Sequence, residues 1–394
     1  MTFNFYETEV GKTYNKPKKD YAKEAEELLM VKHNNPKNTE RWEQFDCSQF
    51  NKDDVVLLID ADWITFSSAS NEMKRYVEFT HNGITHEFTG YKPMKKWCIE
   101  NDVEYNPELG IKKQSNHQNA VIFAKSSIKK KVASGIYKTG ANKVVMFCGS
   151  TGNHRDKLPL PKLCDGKIYN YKGDRPIEWI PETLPEIKDW TMGNWLSHWA
   201  VFEETDDCLT IAKHTLDKLG IKCYIMGVDK DFRGENIGGT YIIGHQENPE
   251  YFVDTEENRL GWIKASKTTG GSGKMLGRGD MFLAYQIIDG DSADGYSAKD
   301  MMKKFGTLKQ FGYKGVEKYL TQFKTRKELW QGVVDHFKKY LPEEFEYEDC
   351  FGVKHKATPM TMLNLYYKCA KMREYQEHIP DVIEDRLKPL GVEY

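Results

Sequence analysis

The sequence predicts an α/β protein with a mostly parallel central sheet flanked by helices. Short apolar runs that end in charged or small residues alternate with amphipathic helical patterns along the chain, which is typical of parallel β–α–β units. Carboxylates follow several of these runs directly. Because the carboxyl ends of the strands in such sheets face the ligand crevice, the pattern predicts both a fold and the place of a site.

Four apolar runs are predicted to be buried strands. They are VVLLIDADWITF (55–66), KVVMFCG (143–149), KCYIMGVDKDF (222–232) and TYIIGH (240–245). Each is short and bounded by polar or glycine-containing segments, as buried strands usually are.

Helices are predicted between these strands and near the N-terminus. The segments are DYAKEAEELLMVK (20–32), NAVIFAKSSIKKKVASGIYK (119–138) with a lysine-rich face, and EETDDCLTIAKHTLDKLG (203–220), which is amphipathic and ends at Gly220. A hairpin is expected within 75–91, because Asn82-Gly83 is a frequent hairpin turn.

The composition limits the classes of function. The 394 residues include 57 Lys+Arg and 59 Asp+Glu, a formal net charge of −2, so a nucleic-acid binder would have to separate its charges in space. The eight cysteines form no CxxC motif, which favours a reduced, cytosolic protein. No apolar run approaches the roughly 18 residues of a membrane span, and the N-terminus lacks a signal-peptide pattern. We therefore expect a cytoplasmic location, in the host cell if the chain is viral.

Four groups of carboxylates are expected to meet at one edge of the sheet. Their members are Asp60, Asp62, Glu203, Glu204, Asp206, Asp207, Asp229, Asp231, Asp291 and Asp294. A single strand-end aspartate often only caps a helix. Carboxylates massed in one crevice raise each other's pKa, however, and divalent cations relieve that repulsion. Oxygen ligands favour Mg²⁺ or Mn²⁺, and two such ions suit phosphodiester hydrolysis.

Basic residues precede the acidic helix. Arg155 lies in NHRDK (153–157), and Lys172 and Arg175 lie in YNYKGDRP (169–176). In loops beside the acidic edge, these cations could hold a scissile phosphate and stabilise the charge that develops on it. Taken alone, these residues are typical of a protein surface, but their place beside four acid groups favours a role in binding phosphate.

These motifs resemble, in their order, those of the flap endonuclease / 5′-nuclease superfamily, and the bacteriophage 5′→3′ exonucleases look closest. The motifs are LLIDAD, HR…YKGDR, EETDD, GVDKD and GDSAD, within about residues 55–322. The resemblance implies a 5′-nuclease (PIN-like) fold. It also implies in-line attack of water on DNA, assisted by two Mg²⁺ (or Mn²⁺) ions. The expected substrates are duplex DNA with 5′ ends, nicks or flaps, and RNA–DNA hybrids, and the expected state is a monomer.

The resemblance also implies roles for single residues. A first metal site would use Asp60, Glu204, Asp206 and Asp207, and a second would use Asp229, Asp231, Asp291 and Asp294. Lys172 and Arg155 would be catalytic cations, with Arg175 beside them. One position departs from the family pattern: Cys148 stands where an aspartate usually ends the second strand. Asp62 or a water could fill that role, or the first ion could be held more weakly.

The resemblance divides the chain into four regions. These are an N-terminal extension (1–52), a nuclease core (53–290) with an insertion at about 71–118, a helix–turn–helix-like duplex-binding region (291–322) and a helical C-terminal extension (323–394). In the duplex-binding region, Gly312 and Gly315 would form a turn that binds backbone phosphate and a monovalent cation, and Lys314 and Lys318 would meet phosphates.

Two other functions remain open from the sequence. LLIDADWIT also resembles the opening motif of haloacid-dehalogenase-type phosphatases, with Asp60 as the nucleophile and Asp62 as an acid. That interpretation leaves EETDD, DKD and YKGDR unexplained. A DNA-binding subunit with a decayed site is the second alternative, and Cys148 is its main support.

Overall fold

The computed structural model describes residues 45–149, 153–162, 171–172, 180–200, 203–235, 241–242, 250–251, 259–267, 273–305, 312–374 and 382–394. The helix predicted at 20–32 and the candidate catalytic residue Arg175 lie outside these ranges. No helix in the described ranges is long and apolar enough to cross a membrane.

The chain forms strands and helices in alternation through its first two thirds. The strands are β1 (Val55–Asp60), β2 (Met73–His81), β3 (Ile84–Phe88), β4 (Ile111–Asn116), β5 (Lys143–Cys148), β6 (Leu196–Trp199), β7 (Lys222–Gly227), β8 (Tyr241–Ile242), β9 (Glu250–Tyr251), β10 (Trp262–Lys267), β11 (Gly273–Arg278), β12 (Phe345–Glu348) and β13 (Lys354–Ala357). The helices are α1 (Ala61–Asn71), α2 (Tyr91–Glu100), α3 (Ala120–Thr139), α4 (Leu184–Asn194), α5 (Thr205–Lys218), α6 (Phe232–Glu235), α7 (Gly279–Asp289), α8 (Ala298–Lys304), α9 (Tyr313–Leu320), α10 (Arg326–Tyr340), α11 (Pro359–Ala370) and α12 (Ile383–Leu387).

The central sheet confirms the predicted fold class. Its strand order is β6-β5-β1-β7-β8-β9, and every pair is parallel except β8 with β9. Three of the predicted strands, β5, β1 and β7, lie side by side. Their carboxyl ends therefore share one edge of the sheet, as the sequence interpretation requires.

Both faces of the sheet are covered by helices, which explains why its strands are apolar throughout. On β1, Leu57 and Ile59 pack with α1, α3 and α4 on one face. Val56 and Leu58 alternate with them and pack with α5 on the other face. All four side chains are fully buried. This three-layer arrangement holds the strand ends rigidly at one edge.

Two of the predicted strands are shorter than expected. The first ends at Asp60, not at residue 66, because the Asp60 carboxylate caps α1 by accepting the Trp63 N–H at 2.9 Å. The third ends at Gly227, before its two aspartates, and the described part of the fourth covers Tyr241–Ile242. In the first and third cases the predicted segment continues past the last residue that pairs with a neighbouring strand.

The insertion forms a small sheet of its own. Its order is β3-β2-β4, all antiparallel, and α2 packs on it around Val77, Phe79, Met94 and Cys98. The predicted turn Asn82-Gly83 connects β2 and β3 with both φ angles positive, at 51° and 76°. That geometry matches the right-handed twist of the flanking strands.

A second core lies in the C-terminal half. Helices α7, α10 and α11 pack around Phe282, Trp330, Phe337 and Tyr366. The C-terminal extension, predicted to be helical, also contains the hairpin of β12 and β13. Because α7 belongs to this core and leads directly to Asp291, the C-terminal half is joined rigidly to the edge that carries the acids.

Candidate active site

Carboxylates from separate parts of the chain meet at the carboxyl edge of the central sheet. Asp60 ends β1, Asp206 lies in the first turn of α5, and Asp229 and Asp231 follow β7. We call these four residues the central acids. Three neighbouring elements of the fold therefore deliver them, and none depends on a long flexible loop.

Asp60 is buried and the other central acids are half-buried, and their charges repel one another. Burial, with the charges of Asp62 and Asp229, raises the pKa of the Asp60 carboxyl to about 7. Burial, followed by the charges of Asp229 and Asp60, raises the pKa of Asp206 well above its ordinary value. None of the central acids forms an ion pair with a Lys or Arg of the described ranges. The ionised forms of Asp60 and Asp206 are therefore unfavourable without an added cation.

The loop after α7 adds two carboxylates beside Asp231. Asp291 and Asp294 are buried, and after burial and Asp229 their charges contribute to the raised pKa of Asp231. Gln286, near the end of α7, donates from Nε2 to Asp231 Oδ1 at 2.5 Å. Lys230 forms an ion pair with Asp291. The last pair of acids therefore follows a helix, α7, and not a strand of the central sheet.

Lys172 lies between the acids of α5 and those of the loop after α7. Its backbone N–H donates to the carbonyl oxygen of Asp294 at 2.9 Å, and its Nζ forms an ion pair with Glu204. Its charge acts to lower the pKa of Asp206, against the larger effect of burial. Lys172 has a φ of 54°, a left-handed conformation that few non-glycine residues adopt. The fold therefore holds this ammonium group beside the central acids.

A second group of carboxylates lies next to Asp206 and is neutralised by arginine. Arg155 donates to Asp207 through Nη1 at 2.6 Å and through Nη2 at 2.9 Å, a bidentate pair. Arg373 forms an ion pair with Glu203, and its N–H donates to Asp207 Oδ1 at 3.0 Å. Burial acts to raise the pKa of Asp207, but Arg155 holds it below the ordinary value. We call Glu203 and Asp207 the outer acids.

The C-terminal extension completes this arginine network. Arg155 donates from Nε to the Lys368 carbonyl at 3.1 Å and from Nη2 to the Lys371 carbonyl at 2.6 Å. Thr210, on α5, donates from its hydroxyl to the Arg373 carbonyl at 2.7 Å. Residues 368–373 thus fix the first turns of α5, which carry the acids, from the far end of the chain.

His154 completes a possible ligand set with the outer acids. His154, Glu203 and Asp207 each offer one ligand atom, and in the described chain these atoms lie within 4.8 Å of one another. This acidic cluster could bind a metal ion. Burial lowers the pKa of His154 to about 4, so its ring is neutral at pH 7. Because two arginines already balance these carboxylates, the central acids suit a divalent cation better.

Cys148 ends β5 beside Asp62. Its buried thiol donates to Asp62 Oδ1 at 3.5 Å, and burial raises its pKa well above the ordinary value. Asp62 also pairs with Lys188 at 2.6 Å and accepts the Gly149 N–H at 2.7 Å and the Thr205 hydroxyl. Donors of the protein therefore engage both Asp62 oxygens, and the thiol stays protonated.

Comparison with known proteins gives structural neighbours only. No family model matches the chain, and no curated protein matches it. Solved structures of the bacteriophage T5 flap endonuclease or 5′-exonuclease are similar: one co-crystallised with metal ions (11% identity, TM-score 0.40), one in a pseudo-enzyme-product complex with DNA and metal ions (11%, 0.41) and one with zinc bound (11%, 0.38). Each match covers 86% of this chain and 98% of the other. Because identities and TM-scores are low, a functional assignment has to rest on the residues of the site.

The structure brings the predicted ligands to one edge of the sheet, but only some of them form ion pairs with an arginine or a lysine. The central acids, Asp291 and Asp294 lie together, with Glu204 and Lys172 beside them. Asp207 and Arg155, predicted as a ligand and a catalytic cation, pair with each other. Asp62 pairs with Lys188. Ligand and catalytic roles for these residues stay predictions.

The predicted duplex-binding residues lie on α9. Gly312 precedes the helix, and Gly315 lies inside its first turn, not in a turn between two helices, as shown by the Gly315 N–H donating to the Gly312 carbonyl at 2.7 Å. Lys314 and Lys318 are exposed and, being four residues apart, share one face of α9. Contact of this face with DNA, and a cation near the glycines, stay predictions.

Sequence reasoning missed several residues of the site. Lys230 stands between Asp229 and Asp231, and that position could have drawn attention to it. Gln286 and Arg373 had no such signal, since each is distant in sequence from its partner carboxylate. Only the packing of α7 and of the C-terminal extension brings them to the acids.

Proposed function

We propose that this chain is a metal-dependent nuclease that hydrolyses phosphodiester bonds of DNA at or near a 5′ end, as a 5′→3′ exonuclease or a flap endonuclease. The set of central acids carries this proposal. Asp60 is buried and the other three are half-buried. Burial and neighbouring carboxylates raise the pKa of Asp60, Asp206 and Asp231, and none of the four pairs with a Lys or Arg of the described chain. Such a cluster is costly unless a bound cation compensates it.

The donor set suits Mg²⁺ or Mn²⁺. The central acids, with Asp291 and Asp294, offer carboxylate oxygens alone, the ligands that these hard cations prefer. The nearby soft ligand, Cys148, is buried with a strongly raised pKa and stays a thiol. Two bound ions would supply Lewis acidity to the phosphate and to the attacking water. We propose two ions because Asp229 neighbours two sets of acids. One set is Asp60 and Asp206, and the other is Asp231, Asp291 and Asp294.

Lys172 is the residue we assign to the phosphate. Glu204 holds its ammonium group beside the central acids, and the backbone hydrogen bond to Asp294 fixes its main chain. A cation held in this way lowers the energy of charge that builds on a non-bridging phosphate oxygen. Because this charge develops in the transition state, Lys172 contributes to the rate of cleavage more than to the affinity for DNA.

The preferred substrate is duplex DNA with a 5′ end, a nick or a flap, with RNA–DNA hybrids as a further substrate. Lys314 and Lys318 form a basic face on α9, separate in the chain from the acids. Backbone phosphates are what such exposed lysines bind without regard to sequence. The acidic and basic residues thus lie in different parts of the chain, as a nucleic-acid binder with a near-neutral net charge requires.

Cleavage of end-labelled DNA tests the proposal. The substrates are nicked duplex, flap and RNA–DNA hybrid, each labelled at the 5′ end and incubated with Mg²⁺ or with EDTA. The expected result is Mg²⁺-dependent release of short 5′ products. Lys172→Ala should slow cleavage by about 10²–10³-fold with DNA affinity within a few-fold, whereas Lys162→Ala, which removes a surface lysine paired with Glu348, should leave both unchanged.

Two results would overturn the proposal. One is the absence of Mg²⁺-dependent cleavage of all three substrates by a folded protein. The other is hydrolysis of small phosphomonoesters that beryllium fluoride blocks, which would favour the phosphatase alternative with Asp60 as nucleophile.

A further inference from the structure

A cavity of about 420 Å³ lies between α7, the hairpin of β10 and β11, and the loop that carries Asp291. Asp291 belongs both to its wall and to the acids beside Asp231. Lys230, the partner of Asp291, lines it as well. The cavity therefore adjoins the candidate active site, and its size is within the range of small-molecule pockets.

The cavity wall carries three lysines and three aspartates, and one of the lysines has no ion-pair partner in the described chain. Lys230 is balanced by Asp291, Lys299 by Asp289 at 2.8 Å, and Asp300 by Lys303 at 2.8 Å. Lys274, on β11, also lines the cavity and forms no ion pair within the described part of the chain. An uncompensated, half-buried lysine favours an anionic ligand.

Two buried polar groups at the cavity lack partners. Gln286 and Tyr296 line it and are almost fully buried, each 2% exposed. Gln286 Oε1 and the Tyr296 hydroxyl have no hydrogen-bond partner among the described residues. Unsatisfied buried groups are rare in folded proteins, and a ligand with both donors and acceptors on one edge would satisfy them.

The remaining wall is apolar and aromatic. Phe282, Tyr285 and Met275 line the cavity, and an aromatic ring with a flexible thioether beside it offers a stacking surface for a planar group. An anion site, unsatisfied polar groups and an aromatic wall together describe the chemistry of a nucleotide.

We propose that this cavity binds one nucleotide of the DNA, next to the phosphate that is cleaved, with the base against Tyr285 and the phosphate near Lys274. The proposal rests on the nuclease function proposed above and adds a substrate subsite to it. Because Asp291 is shared by the cavity and the acid cluster, a nucleotide attached to the scissile phosphate can reach the cavity without a long linker. A base held there must leave the duplex stack, as it does in enzymes that read single bases.

Binding of a free nucleotide to the full chain without metal tests the subsite separately from catalysis. Thymidine 5′-monophosphate is titrated in EDTA and followed by calorimetry or by NMR. Deoxyribose 5-phosphate and inorganic phosphate are titrated in the same way, since they share the anion but lack the base. We expect saturable binding of the nucleotide at least about five-fold tighter than of either control, the ratio that corresponds to ~1 kcal/mol.

Matched variants locate the binding. Lys274→Ala should weaken nucleotide binding by about five-fold, while Lys264→Ala should not change it, because Lys264 is exposed on the same hairpin and does not line the cavity. Tyr285→Leu should reduce the difference between the nucleotide and deoxyribose 5-phosphate. Thermal unfolding of each variant shows that it is folded.

Three outcomes would overturn the subsite. They are the absence of saturable nucleotide binding, equal binding of nucleotide and inorganic phosphate, and equal weakening by Lys274→Ala and Lys264→Ala. Nucleotide binding in EDTA by a chain that cleaves no DNA would instead retain the subsite and reject the nuclease function.

Discussion

Two groups of buried or half-buried carboxylates lie side by side at the carboxyl edge of the sheet, and they differ in how their charge is balanced. The outer acids, Glu203 and Asp207, face Arg373 and Arg155. The adjacent residue Asp206, with the other central acids, faces no arginine or lysine at ion-pair distance in the described chain. One turn of α5 thus carries both kinds of acid.

The difference appears in the pKa values. Burial acts in the same direction on Asp206 and Asp207, yet the pKa of Asp206 is raised and that of Asp207 is lowered. The cause is the guanidinium of Arg155, which stabilises the ionised form of Asp207. An acid with its own arginine is ionised within the structure, whereas an acid without one is either protonated or ionised beside a bound cation. The four predictions below test this distinction.

The largest effect is expected for Asp206→Asn. Loss of a central acid should reduce Mg²⁺-dependent cleavage by about 10³-fold, since the amide no longer offers an anionic ligand. Unfolding by urea should show stability equal to or above that of the unchanged chain, because one repelling charge is gone. Asp189→Asn, an exposed change on α4, is the control. Full activity of Asp206→Asn would reject the metal site.

Asp207→Asn should act mainly on stability. It leaves Arg155, which is 2% exposed, without its bidentate partner, and breaking one side of a buried ion pair costs about 3 kcal/mol. The midpoint of urea unfolding measures this loss. If Asp207→Asn and Asp206→Asn lower the midpoint equally, the distinction between outer and central acids fails.

The third prediction concerns pH and metal. The pKa of Asp60 is raised from 3.8 to about 7, so its contribution to stability is present below pH 3.8 and is lost as the pH rises through about 7. The metal-free protein should therefore lose thermal stability between about pH 4 and pH 7, in the window set by this shift, and Mn²⁺ should stabilise it more at the upper end. Asp60→Asn should flatten both trends. A metal-induced rise in Tm that is independent of pH would show that Asp60 is not a ligand.

The smallest effect is expected at Cys148. Its thiol is protonated and contacts Asp62, whose oxygens Lys188, Gly149 and Thr205 occupy. Cys148→Asp adds a carboxylate at the end of β5 and should lower the Mg²⁺ concentration for half-maximal cleavage by about two- to five-fold, whereas Cys148→Asn should not. An unchanged requirement would mean that Lys188 neutralises the new carboxylate.

The sequence by itself determined the fold class and the edge at which the acids meet. Apolar runs and helical periodicity are local properties, and parallel strands must place their carboxyl ends together. Asp60, Asp206, Asp229 and Asp231 could therefore be named from their position relative to the runs at 55–60 and 222–227 and to the acidic helix. The apolar segment before Asp291 forms the helix α7. Its apolar residues alone do not distinguish a buried strand from a buried helix.

Only the tertiary structure decided which acids are paired with an arginine. Asp206 and Asp207 are neighbours with the same side chain, and nothing local separates them. Arg373 donates to Asp207 from 166 residues away, and Arg155 reaches it from 52 residues away. The cavity beside Asp291 likewise exists only because the hairpin of β10 and β11 packs near α7. Whether a carboxylate is balanced depends on its distance in space from a positive charge, and the spacing of residues along the chain does not give that distance.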